Sequence, residues 1–142
     1  MISIHYIDIE EVPDLHPELL VLWLEKAIDS EGLVCGNLNL IFCSDDHLLG
    51  VNKDYLDHDY YTDIITFDYR ENEVVSGDLF ISVERVLDNS KAFNEPFLKE
   101  LRRVCVHGVM HLCGYGDKTD EESAQMRIKE DFYLNKYVSR ET

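Results

Sequence analysis

The sequence predicts an α+β domain: a small mixed sheet of about four strands covered by about five helices, with residues 1–142 forming one compact unit. Three observations lead there. A chain of 142 residues that is 45% hydrophobic suits one sizeable core and leaves no composition break for a second. Short alternating, β-rich stretches are interleaved with longer stretches of helical apolar spacing. Their order, β-α-β-α-β-β-α-α-α, groups strands and helices as an α+β chain does.

ISIHYI at 2–7 partly alternates and reads as a strand. PELLVLWLEKAIDSEG follows with Leu19, Leu20, Trp23, Leu24, Ala27 and Ile28 on one helical face. NLNLIFC at 37–43 alternates again, and Ser44 after it is placed to cap a second helix. DIITFDY at 63–69 and VVSGDLFISV at 74–83 read as paired strands joined by the polar RENE, and SVERVLDNSKAF resumes helical spacing. Pro96 suits the first turn of a helix through FLKELRRVCVHGVMHLC, whose apolar side carries Leu98, Leu101, Cys105, Val109 and Leu112. Gly114 is a natural stop, and TDEE at 119–122 fits a capping box opening a last helix with Met126, Ile128 and FYL inside.

The net charge of −16 works against diffuse attraction to nucleic acid, whose affinity for proteins draws heavily on Lys and Arg. Any RNA contact is therefore expected to be local. Residues 1–69 hold 15 acids against two Lys and Arg, whereas residues 70–142 hold 14 against 11. Between 85 and 107 the sign turns positive, so Lys91, Lys99, Arg102 and Arg103 are the candidate RNA contacts; a solvated helix face of mixed charge is the plainer alternative. The opening MISIHYIDIEE has no basic leader character, and the apolar run LLVLWL is far too short to span a membrane. A cytoplasmic protein with no membrane partner is the expectation. Cys35, Cys43, Cys105 and Cys113 form no CxxC pair and are expected to be reduced, buried thiols.

HGVMHLCGYGD, residues 107–117, carries the chemistry. Helical residues four apart lie about 40° and 6 Å apart, so His107 and His111 aim at one point. If Gly114 breaks the helix, the chain folds back through Tyr115 and Gly116 and delivers Asp117 as a third ligand. Three protein ligands with a fourth position open is the pattern of a catalytic zinc. The same donor set also suits non-haem Fe(II), so ligand type alone leaves iron open. A zinc-protease reading fails at Gly108, which stands where HExxH needs its glutamate.

HGVMHLCGYGD resembles the HGxLHLxGYDH signature of the YbeY family, bacterial endoribonucleases that act in maturation and quality control of small-subunit ribosomal RNA. TDIITF at 62–67, GDLFIS at 77–82 and EESAQM at 121–126 resemble that family's TxVLSF, GDIxIS and EExxM, so the likeness extends over nearly the whole chain. It implies one metal-dependent hydrolase domain over residues 1–142, His107, His111 and Asp117 as metal-binding and catalytic residues, one divalent ion, zinc, and ribosomal RNA in the small subunit, with its assembly proteins, as partners. Two positions depart from the pattern: Asp117 replaces the third histidine, and Leu56 replaces an arginine after NxxY. A carboxylate keeps the site able to bind zinc, while loss of the arginine removes a cation that could meet phosphate.

Two rivals share the expected fold: a non-catalytic ribosome-assembly factor with a structural metal, and a metal-dependent hydrolase of another substrate. For other singled-out residues the plainer reading is expected. His58 is expected to be a solvated loop residue, Asp63 and Asp78 turn residues, and Tyr55, Tyr60, Tyr61 and Tyr69 loop anchors rather than base-stacking groups.

Overall fold

The structure, a computed structural model, describes residues 1–58 and 60–137; residue 59 and residues 138–142, which the single-domain expectation also spans, lie outside the described residues. The strands are β1 (Ile2–Ile7), β2 (Val34–Cys43), β3 (Ile64–Asp68) and β4 (Val74–Ser82). The helices are α1 (Pro17–Ser30), α2 (Asp45–Leu56), α3 (Val83–Ala92), α4 (Phe97–Leu112) and α5 (Asp120–Leu134). The sheet order is β1-β2-β4-β3, with β1, β2 and β4 parallel and β3 antiparallel to β4, so the sheet is mixed as expected.

Alternation along the strands divides the core into two layers. Leu38, Leu40 and Phe42 of β2 and Val75, Leu79 and Ile81 of β4 turn to one face, where Leu24 and Ile28 of α1 and Leu101, Cys105 and Val109 of α4 bury them. On the other face Leu48 and Val51 of α2 close over Cys43 and Ile65, with Ile7, Phe67 and Phe80 partly buried against them. A parallel β1–β2 pair requires a crossover, which α1 supplies.

Local signals behave as the sequence predicts at several ends. Ser44 accepts a hydrogen bond from His47 N, and Thr119 and Glu122 form both halves of a capping box. Two boundaries differ, and so does the burial of two cysteines. β2 begins at Val34 rather than residue 37, because an irregularity between Cys35 and Leu38 breaks the alternation that marks a strand in sequence. Pro96 is the N-cap residue, one position outside the first turn. Cys43 and Cys105 are buried free thiols, whereas Cys35 and Cys113 are free but only partly buried. Among the described residues no helix is long and apolar enough to cross a membrane.

Candidate metal centre

The centre is built by the end of α4. Gly114, at φ 108°, directs its N–H to His111 O, and Tyr115 N bonds to Met110 O, both at 3.0 Å. This pair of reversed bonds with glycine in the left-handed position stops the helix and turns the chain back along it. The turn carries Asp117 to the two histidines. His107 Nε2 and His111 Nε2 are 3.0 Å apart, and Asp117 Oδ2 lies 3.2 Å from the first and 3.1 Å from the second.

The other ring nitrogens determine what those three atoms are. His111 Nδ1 is 2.9 Å from the carbonyl oxygen of Tyr115, which only accepts, so Nδ1 carries the proton and Nε2 presents a lone pair when the ring is neutral. His107 Nδ1 faces Glu130 Oε2 at 2.7 Å, with the same consequence. Two lone pairs and an anionic oxygen thus converge within 3.2 Å and repel one another unless a proton or a cation lies among them. Tetrahedral ligands about 2.0–2.2 Å from zinc stand roughly 3.3–3.6 Å apart. The triangle is slightly tighter than that, and its donor set fits such an ion.

Glu130 is the support that the sequence reading missed. It sits on α5, 5% exposed, and its second oxygen takes Arg103 Nη1 at 2.9 Å. Arg103 Nη2 reaches Asp131 at 2.8 Å. Burial would lower the His107 pKa, but the hydrogen bond and charge of Glu130, with Asp117 and Asp63 adding, carry it above its ordinary value. His111 has a longer support. Tyr115, whose carbonyl holds it, donates its hydroxyl to Glu31 at 2.6 Å, and Glu31 also receives Tyr133 Oη and Lys129 Nζ. Burial alone would raise the Glu31 pKa, yet the hydrogen bonds from Tyr115, Tyr133 and Lys129 prevail and hold it below the ordinary carboxyl range.

The centre opens into a cavity of about 570 Å³ between α4, the end of α2 and β3. Asn52, Leu56, His58, Tyr60 and Asp63 share its wall with His107, His111 and Asp117. Asp63 is therefore more than a turn residue, and burial carries its pKa upward against the opposing charge of His107. His58, expected to be merely solvated, lines the same cavity. Asp78 does not: it accepts from Asn39 Nδ2 at 2.9 Å in a different cleft. At Gly108 an added Cβ would come within 2.7 Å of Ile64 Cδ1 and 3.0 Å of Leu79 Cδ2. That position faces the sheet, so no protease-type glutamate fits there.

The four candidate RNA contacts are dispersed. Lys91 is exposed on α3, Lys99 pairs with Glu95 at 3.3 Å, and Arg102 lies over the Tyr137 ring at 4.1 Å. At about 100° per residue Arg102 is roughly 140° around α4 from His107. Arg103 is 9% exposed and bound to Glu130 and Asp131, so it supports the centre from beneath and has no free guanidinium to offer a phosphate. A tally of charges along the chain cannot distinguish a buried arginine from an exposed one.

Fold and site define the class: a compact α+β protein with a two-histidine, one-aspartate metal-type donor set opening into a cavity. The chain belongs to the YbeY family, its residues 4–138 matching the family described as Endoribonuclease YbeY. It is 52% identical over 109 residues to Endoribonuclease YbeY of Flavobacterium johnsoniae, covering 77% of this chain and 78% of that one. It is 46% identical over 121 residues to the protein of that name from Phocaeicola vulgatus, covering 85% and 88%. A solution structure of a Thermotoga maritima protein aligns with a TM-score of 0.70 and 29% identity over 95% of this chain and 89% of the other.

Proposed function

We propose that the protein is a metal-dependent endoribonuclease that cuts single-stranded segments of ribosomal RNA during maturation and quality control of the small subunit. In this reading His107, His111 and Asp117 hold one zinc ion, and the protein works in the cytoplasm on the small subunit and its assembly proteins. Family membership and the activity in the relatives' names support RNA hydrolysis. The convergence of two imidazole lone pairs and a carboxylate oxygen on one point of an open cavity carries the metal assignment. Such an ion supplies Lewis acidity toward water and phosphate. Glu130 and the Tyr115 carbonyl keep both Nδ1 atoms protonated and the rings fixed, so the Nε2 atoms face inward without rearrangement. Lys91, Lys99 and Arg102 provide RNA contacts outside the cavity.

One observation favours the non-catalytic assembly factor. Leu56 lines the cavity where the family pattern has arginine, and no lysine or arginine is among the described lining residues. The strong negative charge favours the other rival, a hydrolase of small phosphoesters. One experiment separates the three. Metal content is measured for purified wild type and His107→Ala, and both are offered a defined ribosomal RNA oligonucleotide and a small phosphodiester. The expected result is one zinc per wild-type chain, RNA cleavage, and loss of both in the variant. Zinc-loaded protein that binds RNA without cutting it would transfer the reading to the assembly factor, and turnover of the small ester alone would transfer it to the second rival.

A further inference from the structure

The cavity must receive a polyanion, yet its described wall offers three aspartates, three histidines and no lysine or arginine. The proposed ion would offer one cation to the scissile phosphate, but the described wall offers none to the neighbouring phosphates, so part of the grip on substrate must come from elsewhere. The wall also carries aromatic surface. Tyr60 is 55% exposed although the His58 ring covers one of its faces, the two rings lying 5.0 Å apart at an interplanar angle of 22°. A hydrogen bond of 2.9 Å joins Tyr60 Oη to His58 Nδ1. Asn52, 2% exposed, holds the Tyr60 carbonyl from beneath at 2.9 Å. The pair is thus fixed before any ligand arrives, which reduces the ordering cost of binding.

The neighbouring tyrosines have other engagements. Tyr61 lies beneath the Arg85 guanidinium at 5.0 Å and bonds to Asp46, so it anchors the loop. Tyr55 meets Phe67 edge-on at 5.9 Å, and Tyr69 lines the cleft that holds Asp78. Of the four, Tyr60 is the one on the cavity wall with the metal-type donors.

We infer that the His58–Tyr60 pair is a nucleobase-stacking subsite that takes one unpaired base next to the scissile phosphate. A base within a duplex is already stacked on its neighbours and cannot present its face to the pair. The cavity therefore selects unpaired RNA through a flat ring surface rather than through backbone charge. This inference rests on the endoribonuclease reading, and its test separates the two.

The full chain, as wild type, Tyr60→Leu and Tyr60→Phe, is given a short oligoribonucleotide with one cleavage site and versions lacking the base on either side of the cut. Cleavage kinetics, metal content and equilibrium binding of a non-cleavable analogue are measured. The expected result is a KM raised roughly 5- to 150-fold by Tyr60→Leu, the range for losing one stacked base, with metal content unchanged and most of the affinity restored by Tyr60→Phe. Removing the base on one side of the cut should raise the wild-type KM to a similar degree and add nothing to the Tyr60→Leu defect. Cleavage by Tyr60→Leu at the wild-type KM, or additive effects of variant and missing base, would overturn the subsite and leave the nuclease reading in place. Analogue binding that weakens in Tyr60→Leu while wild type cuts nothing would keep the subsite and remove the nuclease reading. A wild type that neither binds nor cuts removes both.

Discussion

His107 and Glu130 are joined by a 2.7 Å hydrogen bond between Nδ1 and Oε2, and Glu130 is itself fixed by Arg103, one helical turn before His107 on α4. The carboxylate orients the imidazole and prevents Nδ1 from competing as a ligand. Glu130→Gln keeps the shape but loses the charge, and zinc affinity should fall about 10- to 100-fold, read by competition with a chelating dye. Arg103→Ala should instead act on folding. The buried Glu130 carboxylate would keep His107 but lose its guanidinium, so the cost should fall below the about 3–5 kcal/mol of a fully unpaired buried charge, measurable by urea denaturation of the metal-free protein.

Asp117 offers a sharper contrast. The cap of α5 is Thr119, reciprocated by Glu122, so the Asp117 carboxylate is not needed for that role. Asp117→Ala is expected to lose stoichiometric zinc with little change in metal-free stability, and Asp117→His to regain it, because imidazole nitrogen binds zinc at a similar distance. Full metal occupancy in the alanine variant, measured on protein purified without chelator, would sink the assignment.

RNA contact through Lys91, Lys99 and Arg102 should depend on RNA length, since these residues do not line the cavity. A triple charge-reversal variant is expected to weaken binding of long single strands and to flatten the log–log salt slope by about 2, at roughly 0.7 per lost contact. Oligonucleotides short enough to occupy only the cavity should be unaffected. An unchanged slope with long RNA would place the contact elsewhere.

Glu31 gives a pH prediction. Its pKa is lower in the folded protein than in the unfolded chain, so the ionised carboxylate contributes stability above the unfolded value, and that contribution disappears as pH falls through the folded one. Wild type should exceed Glu31→Gln in Tm near neutrality, with the gap closing on acidification below the ordinary carboxyl range. A gap constant from pH 7 to pH 3 would show that the charge of Glu31 adds nothing.

What the sequence discloses follows from how local each signal is. The His107–His111 spacing, the Gly114 stop and the Thr119–Glu122 cap are written within a few residues, and each has its structural counterpart. Asp117 could be placed because two glycines surround a short turn. Glu130 lies 23 residues from the histidine it holds, and Glu31 lies 84 residues from Tyr115. No periodicity or motif links such positions, since the packing of α5 and α1 against α4 brings them together. The same blindness made Arg103 look like a surface cation, and it hid the place of His58, exposed as expected, on the cavity wall.

The dependence of Tyr115 on a residue at the end of α1 and on two residues of α5 bears on the order in which the protein is made. A chain emerging from the ribosome presents Glu31 early, His107 and His111 late, and Glu130 and Tyr133 later still. Until α5 has emerged, His107 lacks the Glu130 carboxylate that fixes its ring, and the Glu31 anchor of Tyr115 lacks Lys129 and Tyr133, so a growing chain should hold zinc poorly. Metal capture then follows the emergence of α5. A truncated product lacking α5 would be a poor nuclease as well as a poorly folded protein, and so would pose little threat to the RNA around it.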